Sequence, residues 1–314
     1  MPDNTNPNHY ICRMPFIYEK IRIGDTEGVE VLGYEGSARK LSVPEELEGL
    51  PVLSLGKHAF TDKNTDLEEV SLPRSLLQIR SFAFYFCGSL KRLTLYDSVT
   101  DYHDGAIRTN FSLHEIRLIM REQRYTLARR ILGDSERKLL VMFEHPSGSL
   151  QLVFPEYSSN SIEDTRAQAF HIRIDGTGFS YRECVCADGL RLREYDGLYR
   201  RTFSSDDPEV SMEIAVARLM YPQGLSEEAA ASYRAQLRND MERVLRLSMK
   251  PRNAGWMELL MKEELLQSGD MDTALKLASE SGKIELTGEL MDYREKHFPK
   301  KTGTRLSLGD WSGR

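Results

Sequence analysis

The sequence predicts an α+β chain: a short solenoid of parallel strands, a β-hairpin cap, and an all-α end built as a small bundle or an ankyrin-like stack of helix pairs. Three observations predict it. A frame Leu-x-x-apolar-x-Leu recurs at constant spacing, two apolar runs flank a Pro-Ser-Gly turn, and from about Tyr195 apolar residues recur at helical spacing between caps and prolines. The expected divisions are a flexible start over 1–14, the solenoid over 15–120, a mixed α/β capping or linking region over 121–190, a helical domain over 191–298 and a flexible tail over 299–314.

The frame reads Leu67-Glu-Glu-Val70-Ser-Leu72, Leu90-Lys-Arg-Leu93-Thr-Leu95 and Leu113-His-Glu-Ile116-Arg-Leu118, with first leucines 23 residues apart both times. A second frame precedes each: Leu55-Gly-Lys-His-Ala59-Phe60, Ile79-Arg-Ser-Phe-Ala83-Phe84 and Tyr102-His-Asp-Gly-Ala106-Ile107. A unit this small cannot bury its own apolar face and must stack on copies of itself. Alternation within Val70-Ser71-Leu72 suits a short strand with Val70 and Leu72 inward. The Ala-Phe pairs belong on the opposite wall, and Pro73 ends the first ladder. Stacking puts outward positions in columns: Glu69, Arg92 and Glu115 in one, Ser71, Thr94 and Arg117 in the next. The first column alternates in sign between strands about 4.8 Å apart, and each cross-strand pair contributes about 0.2–1 kcal/mol. Two readings of that face stay open: charges that keep an exposed sheet soluble and in register, or a mixed-charge surface for a protein partner.

The run Ala83-Phe84-x-x-Cys87-x-x-Leu90-x-x-Leu93-x-Leu95, after Leu67-x-x-Val70-x-Leu72-Pro73, resembles the BspA-type leucine-rich repeat of bacterial proteins. Val29 to Gly36, Leu41 to Pro44 and Gly49 to Val52 are similar to the way such arrays begin. The resemblance covers about residues 15–120. It implies a curved array of short strands used in protein or surface recognition, and no catalytic residues. The third coil departs from the pattern, with Tyr102-His103 for the usual Ile-Gly and Ile107 for phenylalanine.

Beyond Met120, Leu127, Ile131 and Leu132 have helical spacing up to Gly133. Leu139-Leu-Val-Met-Phe143 and Leu150-Gln-Leu-Val-Phe154 read as a hairpin extending the sheet as a cap. Gly176-Thr-Gly178 lacks the third glycine of a dinucleotide fingerprint and the Lys-Ser/Thr of a P-loop, so a tight turn before a helix is the better reading. Asp207-Pro208 caps a helix carrying Val210, Ile214, Ala217 and Leu219, and Ser226 is expected to open a longer one reaching Met249. Pro251 breaks it, Trp256 opens a third helix ending near Gly269, and Asp270 opens a fourth that Gly282 interrupts. The order Tyr195-Asp-Gly-Leu-Tyr199 and Arg218-Leu-Met-Tyr221-Pro222 is similar to the helical tail of some bacterial arrays of this kind.

The chain has 314 residues, 40% hydrophobic and 29% charged, with 48 acids against 42 bases. That balance speaks against general nucleic-acid binding, which needs a basic face. No apolar run has the roughly 20 residues of a membrane helix, and the polar start carries no signal pattern, so a cytoplasmic address is expected. Cys12, Cys87, Cys184 and Cys186 read as reduced structural cysteines without a metal; Cys184 with His171 is a weak nucleophile-base pairing. The expected function is a non-catalytic protein-interaction scaffold without a cofactor. Its candidate binding residues are Glu69, Ser71, Arg92, Thr94, Glu115 and Arg117. Leu306, Leu308 and Trp311 form a candidate docking segment in the tail. The alternatives are an enzyme with a site between solenoid and helical domain, and a cell-surface adhesin exported by an unrecognised route.

Overall fold

The computed structural model describes residues 15–61, 66–164, 169–202 and 207–299. The expectations for residues 1–14 and for Leu306, Leu308 and Trp311 lie outside the described residues.

The chain opens with an antiparallel hairpin, β1 (Phe16–Ile23) and β2 (Thr26–Tyr34). Short strands of the coils follow: β3 (Lys40–Ser42), β4 (Glu46–Leu47), β5 (Leu50–Leu55), β6 (Glu69–Ser71), β7 (Gln78–Ile79), β8 (Arg92–Tyr96), β9 (Asp101–Tyr102) and β10 (Glu115–Ile119). After helix α1 (Thr126–Gly133) come β11 (Leu139–His145) and β12 (Gly148–Phe154). One sheet runs β1-β2-β5-β7-β9, with β4 beside β5; the other runs β12-β11-β10-β8-β6-β3.

The second sheet is where the leucine frame lands. Val70 pairs with Leu93 and Leu93 with Ile116, and Ile116 continues onto Val141 of β11. All four are buried, because each coil can hide its apolar wall only against the next. The Ala-Phe frame builds its own ladder. The Phe60 N–H donates to the Ala83 carbonyl at 2.8 Å and the Phe84 N–H to the Ala106 carbonyl at 3.0 Å. The rings of Phe60 and Phe84 stack 5.2 Å apart, while Ile107 takes the buried position in the third coil. The residue before each alanine is left-handed: His58 at φ 58°, Phe82 at φ 57° and Gly105 at φ 84°. Only glycine holds that conformation without steric cost; the other two bear about 1–2 kcal/mol each.

β11 adds to β10 in parallel and β12 to β11 antiparallel, so the expected hairpin does cap the stack. Next come the pair β13 (Ser158–Asp164) and β14 (Ala169–Asp175), helix α2 (Gly178–Glu183), the pair β15 (Val185–Cys186) and β16 (Gly189–Leu190), and helices α3 (Leu192–Thr202) and α4 (Pro208–Met220). Gly178 opens α2 against the β12 end: a Cβ there would sit 2.0 Å from the Pro155 carbonyl oxygen, so no larger residue fits. The free edge of β12 is closed by a phenol. Tyr195 donates to the Val153 carbonyl at 2.6 Å and accepts from the Val153 N–H at 3.1 Å, leaving neither group open to another chain. Asp207 caps α4 by accepting from the Glu209 N–H. This helix is buried from Ser211 through Leu219 rather than on one stripe, and it packs on β12.

The chain divides into two compact units between Ala229 and Ala230. Helix α5 (Glu227–Asn239) crosses that point, followed by α6 (Met241–Ser248), α7 (Trp256–Lys262), α8 (Met271–Glu280) and α9 (Ile284–His297). Two expectations are corrected here. The helix led by Ser226 stops at Asn239, because Asp240 leaves helical geometry and accepts from the Arg243 N–H to start α6. The helix from Trp256 ends at Lys262, well before Gly269. Glu264 adopts φ 51°, the Leu265 N–H bonds to the Leu260 carbonyl at 2.9 Å, and the Glu264 N–H bonds to the Met261 carbonyl at 3.1 Å. That is a Schellman ending built without glycine. It turns Leu265 and Leu266 back into the core as loop residues.

Candidate interaction face

Strand register, not chance proximity, assembles the outward residues. Glu69 lies beside Arg92 and Arg92 beside Glu115, while Ser71, Thr94 and Arg117 align in the next column. All six predicted positions therefore share one face. Arg92 bridges its column, 3.1 Å from Glu69 and 2.7 Å from Glu115. The hydrogen bond to Glu115, reinforced by the Glu69 charge, raises the Arg92 pKa above its ordinary value. Lys40 of β3 extends it, 3.1 Å from Glu69. Arg117 pairs instead with Glu144 of β11 at 2.9 Å.

A third column, Arg39, Glu68 and Lys91, lies one residue upstream; both cations pair with Glu68. Their hydrogen bonds, that of Arg39 first, hold the Glu68 carboxyl below its usual value. Sequence reasoning missed Arg39, Lys40, Glu68, Lys91 and Glu144. The signal was present for Lys40, since Leu41 stands in the frame of Val70.

The other chemistry weighed from sequence resolves into structure. Burial pushes the Cys184 thiol up to about 12, which favours the protonated form over the thiolate nucleophile. Among the described residues no group of three or more His, Cys, Asp or Glu side chains is placed to hold a metal. The two motifs of the helical tail meet: Arg218, fully buried, binds Asp196 through two contacts at 2.8 and 3.0 Å and also donates to the carbonyls of Tyr221 and Gln223. Residues that looked like a signature are a buried clamp.

The coil geometry agrees with a family comparison, in which six copies of the BspA type leucine-rich repeat region match residues 37–126. Residues 37–126 are a BspA-type leucine-rich repeat region. Three solved structures are similar to parts of the chain. A leucine-rich cell surface protein from Faecalibacterium prausnitzii A2-165 shares 22% identity over 38% of this chain and 38% of its own, with a TM-score of 0.29. A leucine-rich repeat protein from T. pallidum shares 24% over 34% of this chain and 70% of its own, with a TM-score of 0.23. A leucine-rich repeat protein from Bacteroides capillosus ATCC 29799 shares 19% over 32% of this chain and 97% of its own, with a TM-score of 0.23. No curated protein matches. The BspA-type array is a scaffold fold typical of protein-interaction or surface proteins. Among the described residues no helix is long and apolar enough to cross a membrane.

Proposed function

We propose that this chain is a non-catalytic scaffold that takes a protein partner on the face carrying Glu69, Ser71, Arg92, Thr94, Glu115 and Arg117. The observation that supports this is the register-matched charge ladder. Its members are held by neighbours on adjacent strands yet remain solvent-accessible, with Arg92 39% and Arg117 45% exposed. Side chains already fixed in place lose little entropy when a partner arrives. An alternating pattern selects a partner strand or loop with the opposite alternation and repels others.

Inverting the ladder tests this without removing it. The quadruple variant Lys40→Glu, Glu69→Lys, Arg92→Glu, Glu115→Lys keeps opposite charges side by side but reverses the pattern shown to a partner. In pull-downs from native lysate the full wild-type chain should retain a partner that the variant loses by at least tenfold, with both chains folded by circular dichroism. Equal retention by the two would refute the reading.

We also propose that the protein acts inside the cell. Cys184 and Cys186 are free thiols, which suits a reducing compartment. Fractionation should recover the chain with soluble cell contents; recovery with the surface fraction favours the adhesin reading instead.

A further inference from the structure

Helix α1 has two faces. Leu127, Ala128, Ile131 and Leu132 are buried, while Thr126, Arg129, Arg130 and Gly133 follow the i, i+3, i+4, i+7 spacing of a single opposite face. That second face forms one wall of a cleft of about 420 Å³, whose other walls are Asp104 and Arg108 from the third coil, Asp134 and Ala187. Three guanidinium groups thus border one concavity, two from the helix and one from a different coil. A cation near a helix C-terminus is favoured by the helix dipole. That accounts for Arg130, whereas Arg108 comes from a separate coil.

The acids around the cleft neutralise it only in part. Asp134 is buried and already accepts from the Tyr102 hydroxyl at 2.9 Å, the Gly105 N–H at 2.7 Å and the Ile107 N–H at 3.1 Å. Its contact to Arg108, at 3.3 Å, holds that guanidinium at the cleft wall. Asp104 is highly exposed and reaches Arg130 only at 3.8 Å. Arg129 has no acidic partner among the described residues. Three cations therefore meet two carboxylates, one buried and one loosely held at the surface, so the cleft keeps an excess positive charge in a chain whose formal net charge is −6.

The geometry points to an anion-binding site for a phosphate monoester, with Arg108, Arg129 and Arg130 as its ligands and Asp134 as the residue that positions Arg108. Guanidinium forks match tetrahedral phosphoryl oxygens in paired hydrogen bonds, which lysines in their place could not. The volume suits a phosphoryl group with a small organic body. The phosphoryl group could belong to a free metabolite or to a phosphorylated side chain. The site uses none of the ladder residues, so the inverted-ladder variant should leave it intact and the two readings fail separately.

Gly133 supplies a clean test. A Cβ there meets nothing within 4 Å, and glycine is the poorer helix former, so Gly133→Gln should fill the cleft without unfolding the chain. The full chain is titrated calorimetrically with inorganic phosphate, O-phosphoserine, a phosphoserine peptide, its unphosphorylated form and sulfate. At least one phosphoryl probe should saturate at one per chain, and that affinity should fall at least tenfold in both Arg129→Ala and Gly133→Gln. O-phosphoserine binding as tightly as the peptide marks a metabolite; a peptide at least tenfold tighter marks a phosphorylated side chain. The proposal is overturned if no phosphoryl probe saturates, if either variant binds as wild type does, or if sulfate or the unphosphorylated peptide binds equally well.

Discussion

Arg218→Ala should lower the unfolding free energy by about 3–5 kcal/mol, a third or more of what holds an ordinary domain together. The arginine is fully buried and its two contacts to Asp196 are short and parallel. Removing it takes the counter-charge from a buried carboxylate and also deprives the Tyr221 and Gln223 carbonyls of a donor. Asp196→Ala should cost a similar amount, since it takes the counter-charge from a buried cation instead. The double variant Asp196→Leu, Arg218→Met should lose much less than the sum, because two apolar side chains carry no desolvation penalty. Urea unfolding followed by far-UV circular dichroism measures all three. A cost below about 1 kcal/mol for either single variant, the range of an exposed pair, would mean that the clamp is not formed in solution.

How much of this was legible in the sequence depends on which force set each feature. Coil register was fully legible, because constant spacing is itself the record of stacking: Val70, Leu93 and Ile116 are neighbours since each coil has the same length. The ladder columns follow by the same arithmetic. Backbone devices were harder to read. Gly282 announces the end of α8, and the helix ends there in a Schellman geometry at φ 67°. Glu264 does the same job at the end of α7 with no compositional sign, so the helix was expected to run on. His58 and Phe82 are left-handed only because their coils repeat the turn that Gly105 makes freely. Contacts set by tertiary packing left no local trace. Arg108 reaches the α1 cleft, and Asp196 reaches Arg218, across segments that no spacing rule joins.

Arg182 has the same character, and its loss should cost the most. It is buried, yet no carboxylate pairs with it within ion-pair distance among the described residues. Its three nitrogens donate to five carbonyls instead: Leu132, Ser135, Arg137, Pro155 and Gly178, at 2.6–3.1 Å. These come from the end of α1, the approach to β11, the exit of β12 and the start of α2, so one side chain ties together the segments that cap the stack. The Tyr157 ring covers the guanidinium at 4.8 Å. A buried acceptor left without a donor costs about 1–3 kcal/mol, partly offset by water entering the space. Arg182→Ala should therefore cost about 4–5 kcal/mol, at the upper end for single substitutions. Arg182→Met separates packing from donation. It restores most of the volume and none of the donors, so it should remain nearly as damaging as alanine, while Arg182→Lys, with three donors on one point, should fall between wild type and methionine. Burial pushes the guanidinium down to about 10. Below that value it is protonated both folded and unfolded, so its contribution should not change between about pH 5 and 9. If methionine instead left the urea midpoint near that of wild type, the carbonyls would not depend on Arg182 and the cap would be held by apolar packing alone.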